Sequence, residues 1–381
     1  MKSLREIVET SPRMRAVAMH SLRSEDSPQP LGPARWEWSE VQRILVVRLR
    51  SIGDTVLTTP SLYALRRFLP HARIDILLED WVAPVLDGFE HIDNVITLQR
   101  GGARARLSVA RALRSARYDV VYNLHGGTTA TLLTRASGAK YRVGFAHYQY
   151  GGLHNHLAPS SLLLWGTAKA HSVEQQLAMV GWTGVPVSDR PPSHLAVSDA
   201  AVASVNAKLL AAGFNLPTPF ALIHPTAAFE TKRWATEKFS RVAEDLAARG
   251  IATVALAGPN EAHIVASLKA GSSAGVVVLT NLSLPEVTAL ASRARLFVGN
   301  DSGIAHVAAA VATPAVVIFG SSNIAHWKPW ASAPAEVVFE EMECQPCHGY
   351  FCEKFAQPEC ILRVPAERVT AAIDRVLRES A

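Results

Sequence analysis

What most constrains this chain is a rhythm that it runs through twice. Short runs of aliphatic, mostly β-branched residues alternate with helix-length segments. In the first half the runs are RILVVRL (43–49), RIDILL (73–78), NVITL (94–98) and DVVYNL (119–124). In the second they are FALIH (220–224), ATVALAG (252–258), GVVVLT (275–280), RLFVG (295–299) and AVVIFG (315–320). Helical patterns fill the gaps, among them 235–249, 260–270, 284–293 and 303–311. Strands spaced by helices imply parallel sheets with right-handed crossovers, and two such blocks imply two Rossmann-like domains. Periodicity lapses in VPVSDRPPSHLAVS (185–198), so the boundary is placed there: 42–190 for one domain and 191–365 for the other, with a terminal helix at 366–381. Ligands of such sheets bind at the carboxyl ends of the strands, so two facing domains create one cleft.

The 381 residues are 49% hydrophobic and 19% charged, as expected of a soluble globular protein. No apolar stretch reaches the roughly 18 residues of a membrane span. Residues 1–41 carry scattered charges and no apolar core, so they are expected to be neither a secretory signal nor part of the fold. A cytoplasmic protein is expected, peripheral at most on the inner face of the membrane.

Three loops concentrate the chemistry. SIGDTVLTT (51–59) places Asp54 where the first strand gives way to a helical pattern running from Thr55 to Leu69. Asp is a favoured N-cap there. GNDSGIAHVAAA (299–310) again sets small residues and an Asp before a helix, so the amides near Ser302 and Gly303 form an anion site. IHPTAAFETKRW (223–234) supplies donors on one loop, with Lys232 a compact positive charge suited to phosphate.

Two further segments stand out. RGGARARLSVARALRSAR (100–117) holds six arginines; in a helix Arg100, Arg104, Arg111 and Arg114 share a stripe. A solvated face is the plain reading, and the functional one is a rim for an acidic substrate or an anionic membrane. Aromatic residues do not interleave with the arginines, which argues against nucleic acid. All four cysteines, Cys344, Cys347, Cys352 and Cys360, lie in ECQPCHGYFCEKFAQPECI (343–361). Their spacing suits a tetrahedral thiolate site for a structural metal, against the alternative of surface thiols that never meet.

SIGDTVLTTPSLYALRRFLP, HPTAAFETKRWATEKF and FVGNDSGIAHVAAAVATPAVVIFG, in this order, with YDVVYNLHGG and YRVGF between them, resemble the bacterial heptosyltransferases of glycosyltransferase family 9. The resemblance runs from about residue 42 to the C-terminus. It implies a GT-B architecture, with the donor nucleotide sugar on the C-terminal domain and the acceptor on the N-terminal one. It implies inverting transfer of heptose from ADP-heptose to an acidic, lipid-linked lipopolysaccharide inner-core acceptor, without a catalytic cofactor. Carried over by position, the catalytic Asp is Asp54, and the donor-binding residues are Thr226, Lys232, Leu282, Asp301, Ser302, Gly303 and His306. From the residues themselves, Arg104 and Arg111 of the stripe and His125, which follows a strand end in LHGGTT (124–129), are the candidate acceptor contacts, with a solvated face for the arginines and a structural hydrogen-bonding role for His125 as the alternatives. Some relatives glycosylate autotransporter proteins and hold iron on a cysteine cluster, so a protein acceptor, another nucleotide sugar, and zinc or iron at the cysteines stay open. So does a non-catalytic nucleotide-sugar-binding protein. A Rossmann dehydrogenase fits less well, because RSIGDTVLT has one glycine where G-x-G-x-x-G is needed.

Overall fold

The structure, a computed structural model, describes residues 27–347 and 349–380. The first sheet comprises β1 Arg43–Val47, β2 Arg73–Glu79, β3 Asn94–Leu98, β4 Val120–Asn123, β5 Tyr141–Phe145 and β6 His156–Ala158. The second comprises β7 Phe220–His224, β8 Ala252–Leu256, β9 Val276–Leu279, β10 Leu296–Asn300, β11 Ala315–Phe319 and β12 Ala335–Phe339. All pairings are parallel, in the orders β3-β2-β1-β4-β5-β6 and β12-β11-β10-β7-β8-β9. Each sheet starts at its centre, grows outward to one side and then returns to grow on the other. Connections therefore diverge between β1 and β4 and between β7 and β10, where a crevice opens at the strand ends.

Alternation along the strands sorts the core into layers. Ile44 and Val46 of β1 face one way, with helices Thr59–Phe68 and Ser172–Gly181, and join a core that also takes in Leu222, Phe297 and Val317 of the second sheet. Leu45 and Val47 face the other way, under helices Ala103–Ala116 and Thr128–Ala136, in a cluster drawn from the first sheet's side alone. The second sheet has its own outer cluster, including Val369, Ile373 and Val376 of the terminal helix Ala366–Glu379. The two-domain α/β architecture expected from the sequence is present. Among the described residues, no helix is long and apolar enough to cross a membrane.

Several details differ from the sequence reading. The helix expected from Thr55 to Leu69 is two helices, Ile52–Val56 and Thr59–Phe68, the second with proline in its first turn. Strands β5, β6 and β12 were not anticipated. Residues 1–26 lie outside the described residues, but the remainder of the leader belongs to the fold: Trp36 stacks on Tyr141 at 4.5 Å, and Trp38 donates to the Thr183 carbonyl at 3.1 Å. Segment 185–198 is pinned on both sides. Asp189 pairs with Arg67 at 2.6 Å, and the Leu195 N–H donates to the Ala310 carbonyl at 3.2 Å.

Candidate active site

Beyond β1 the chain turns into helix Ile52–Val56, whose N-cap is Ser51 rather than Asp54. Asp54 occupies the third helical position. Its Oδ2 accepts from the Ser51 N–H at 3.3 Å and from the Ser51 hydroxyl at 3.1 Å. Such a reach back to the N-cap orients the carboxylate on a rigid turn. Its other oxygen pairs with Arg48, which is nearly buried and also donates to the Leu124 carbonyl. Burial pushes the Asp54 carboxyl up, but Arg48, the Ser51 hydrogen bonds and His306 outweigh it and hold the group below its ordinary range. Asp54 is therefore ionised at neutral pH.

Against this turn stands helix Gly303–Ala310 of the second sheet. A Cβ placed on Gly53 would lie 2.7 Å from Cδ2 of His306, and one on Gly303 would lie 3.0 Å from Cβ of Ile52. The absence of side chains at these two positions lets the halves of the chain touch. His306 is buried, and its Nδ1 has no hydrogen-bond partner. Burial holds its imidazole low despite Asp301 and Asp54, so it stays neutral.

The elements that the sequence leads one to expect at a phosphate converge from loops after β7, β10 and β11. Lys232, on the turn Glu230–Lys232, pairs with buried Asp301 at 2.7 Å, and Asp301 also accepts from Ser322. Asn300 fixes the loop: it accepts from the Trp234 N–H at 3.1 Å and donates to the Pro225 carbonyl at 2.8 Å. Thr226, His224 and Ser302 form a chain of hydrogen bonds at 3.1 and 3.2 Å. Burial pushes the His224 imidazole down to about 4, which keeps this chain uncharged.

Two cavities meet here, and a third has its own lining in the first half of the chain. A space of about 490 Å³ is lined by Asp54, Lys232, Asp301, Ser302, Gly303 and His306. A second, of about 350 Å³, shares Ser302 and Gly303 and adds Thr226, Glu261 and Leu282. A third, of about 520 Å³, lies at the carboxyl ends of the first sheet between Arg50, Arg100, Arg106 and His125. Burial and the nearby Arg48 push the His125 imidazole down to about 4. A further cavity, about 550 Å³, lies among Tyr63, His91, Ser193 and Ala310 and contains none of these groups.

The structure thus brings together Asp54, Lys232, Asp301, Ser302, Gly303 and His306, with Thr226 and Leu282 next door. It brings His125 into the basic cavity, but leaves Arg104 and Arg111 exposed on their helix and outside it. Arg50 and Arg106 line the cavity. The sequence reading also missed Arg48 and Glu261; polar residues at the carboxyl ends of β1 and β8 were the available signal. The cysteines do not form the expected tetrahedral set. All four are free, and among the described residues no group of three or more His, Cys, Asp or Glu is arranged to hold a metal. They are neighbours nonetheless, since burial and the other three thiols push Cys360 up to about 11. Their segment braces the Lys232 turn: the Glu230 N–H donates to the Tyr350 carbonyl at 3.0 Å and Thr231 to that of Gly349 at 3.0 Å.

Residues 106–355 match the model of glycosyltransferase family 9 (heptosyltransferase). The chain is 30% identical over 283 residues to lipopolysaccharide heptosyltransferase 3 of Escherichia coli K12, covering 70% of this chain and 79% of that protein. In fold it is similar to E. coli ADP-heptose lps heptosyltransferase II, with a TM-score of 0.73 at 21% identity, covering 89% of this chain and all of that one. It is also similar to E. coli heptosyltransferase WaaC with ADP, with a TM-score of 0.68 at 18% identity, covering 88% and 99%. Two six-stranded parallel sheets meeting at a carboxylate, a lysine and a helix N-terminus, together with these matches, establish that the chain is a glycosyltransferase and belongs to glycosyltransferase family 9.

Proposed function

We propose that the chain transfers heptose from ADP-heptose to an acidic sugar of a lipid-linked lipopolysaccharide inner core, with inversion at the anomeric carbon. One observation carries this reading: Asp54 of the first sheet and Lys232 of the second line the same cavity of about 490 Å³. The names of the relatives, lipopolysaccharide heptosyltransferases and a structure with ADP, support the donor and the acceptor class.

In an inverting transfer the acceptor hydroxyl attacks from the face opposite the leaving ADP and loses a proton as the bond forms. Ionised Asp54 accepts that proton. Arg48 holds the carboxylate in place while keeping its basicity modest. The adenosine fits the cavity around Leu282, where Glu261 is placed to accept hydroxyl hydrogen bonds. The pyrophosphate fits the space shared by both cavities, against the free N–H groups of helix Gly303–Ala310 and the Lys232 ammonium. Asp301 is the counter-ion that Lys232 shares with the incoming phosphate. Arg50, Arg100 and Arg106 receive an anionic group of the acceptor as paired donors.

Incubation with ADP-heptose and lipopolysaccharide acceptors of graded truncation tests this. The expected product gains one heptosyl mass and shows the inverted anomer by NMR. A retained anomer, or transfer only from a different nucleotide sugar, would overturn it.

A further inference from the structure

The segment that contains the two outer helices of the first sheet carries the most lopsided charge in the chain. Residues 94–173 contain ten Lys and Arg and one acidic residue, Asp119; the whole chain has 38 and 33, which leaves 28 against 32 elsewhere. Helices Ala103–Ala116 and Thr128–Ala136 lie side by side on this face. An amphipathic helix on a core normally buries a broad apolar stripe. Here Leu113 alone of the fourteen residues of Ala103–Ala116 is buried. Arg104, Arg106, Arg111 and Arg114 are exposed, and among the described residues Arg104, Arg106, Arg111 and Arg135 have no ion-pair partner. Leu107 is 50% exposed on the first helix and Leu132 is 52% exposed on the second.

Three further exposed apolar groups lie toward the same edge. Tyr150, Leu162 and Leu163, the last 73% exposed, lie on segments that follow the carboxyl ends of β5 and β6. Both helices begin at that edge, beside the basic cavity. Arg106 lines the cavity and Leu107 is the next residue; Thr128 lines it and Leu132 is one turn further on. The charged and apolar surface is thus continuous with the proposed acceptor site. Burial, and then the neighbouring Arg135, lower the affinity of the Arg142 guanidinium for its proton, as expected where positive charge is uncompensated.

We propose that this face docks on an anionic lipid bilayer, with the two helices lying flat at the headgroups and Leu107 and Leu132 entering the acyl boundary. Arginines around exposed leucines fit that partner, because the charges meet acidic headgroups while the leucines leave water. A single-stranded nucleic acid would require stacking rings between the arginines, and helices Ala103–Ala116 and Thr128–Ala136 carry no aromatic residue. Docking would present the acceptor cavity to the membrane surface, yet it does not depend on which sugar is transferred.

Sedimentation of the full chain with vesicles tests this apart from turnover. Binding is expected to phosphatidylcholine containing about a third phosphatidylglycerol, not to phosphatidylcholine alone, and is expected to fall as salt is raised. R104E/R111E should weaken binding by about tenfold or more. L107S/L132S should weaken it several-fold even at high salt, where charge is screened. ADP affinity by calorimetry, unchanged in both variants, certifies the fold; if the charge reversal loses ADP binding, R104S/R111S replaces it. Equal binding to neutral and anionic vesicles, variants that bind like the unaltered chain, or tighter binding to single-stranded RNA than to the vesicles would overturn the proposal.

Discussion

Replacing Asp54 with Ala separates two roles that the geometry gives to one side chain. The carboxylate is the proposed base, and losing such assistance slows proton-coupled steps by roughly two to four orders of magnitude. It is also the counter-ion of Arg48, whose side chain is only 10% exposed. Leaving a buried cation unpaired costs about 3 kcal/mol or more, so the variant should also melt several degrees earlier. Changing Arg48 to Met in the same chain removes the stranded charge, and the double variant should recover stability without recovering turnover. The assays are the rate at saturating substrates and thermal melting of both single variants and the double, with ADP affinity by calorimetry expected to stay close to that of the unaltered chain. Because the folded carboxyl is held below its ordinary range, turnover should persist as pH falls through that range and fail only beneath it. An Asp54→Ala enzyme that turns over normally would refute the base and leave only the ion pair and the reach to Ser51.

Lys232→Ala should weaken ADP binding and also slow transfer, since the charge it meets grows as ADP departs; unchanged affinity by calorimetry would remove it from the phosphate site. Gly53→Ala should lower both stability and donor affinity, because the added methyl would lie 2.7 Å from the ring of His306; normal melting and normal ADP binding would show that the two halves do not meet as closely as described. Glu286 is raised by burial but drawn down overall to about 2 by Lys208, Ser204 and Ser283, against 4.5 when unfolded. Its stabilisation is therefore complete above about pH 4.5 and lost toward pH 2. Denaturant titrations should show Glu286→Gln costing of order 1–2 kcal/mol at pH 7, allowing for the partly exposed lysine, and almost nothing at pH 2.

Legibility followed chemistry that is local in sequence. Strands buried on both faces, such as FALIH, must be aliphatic throughout, so they announce themselves. YRVGF and AEVVF mix charge or glycine into the run, and β6 has three residues, so each fell below any periodic signal. Asp54 and Lys232 were visible because a turn or loop after a strand end concentrates polar groups within a few residues. Their ion pairing was not: Asp301 was named for the donor but lies 69 positions from Lys232, and Arg48 was read as part of its strand. The arginine periodicity showed which residues share a stripe, but contact with Thr128–Ala136 decides where that stripe points. Arg106, not Arg104, reaches the cavity for that reason. Trp36 and Trp38 were hidden by the polar segment around them, although two tryptophans so close together were a hint of burial.

The meeting of Gly53 with Gly303 has a consequence for how such enzymes diversify. At that joint each glycine makes room for the other half, Gly53 for the ring of His306 and Gly303 for Ile52, so a lineage that keeps both glycines keeps the joint whatever changes elsewhere. The basic cavity is built wholly from the first half, and the pocket around Leu282 almost wholly from the second. A lineage can therefore remodel one pocket while inheriting the other intact, and recombination between relatives at segment 185–198 would join a new acceptor half to an old donor half without redesigning the seam.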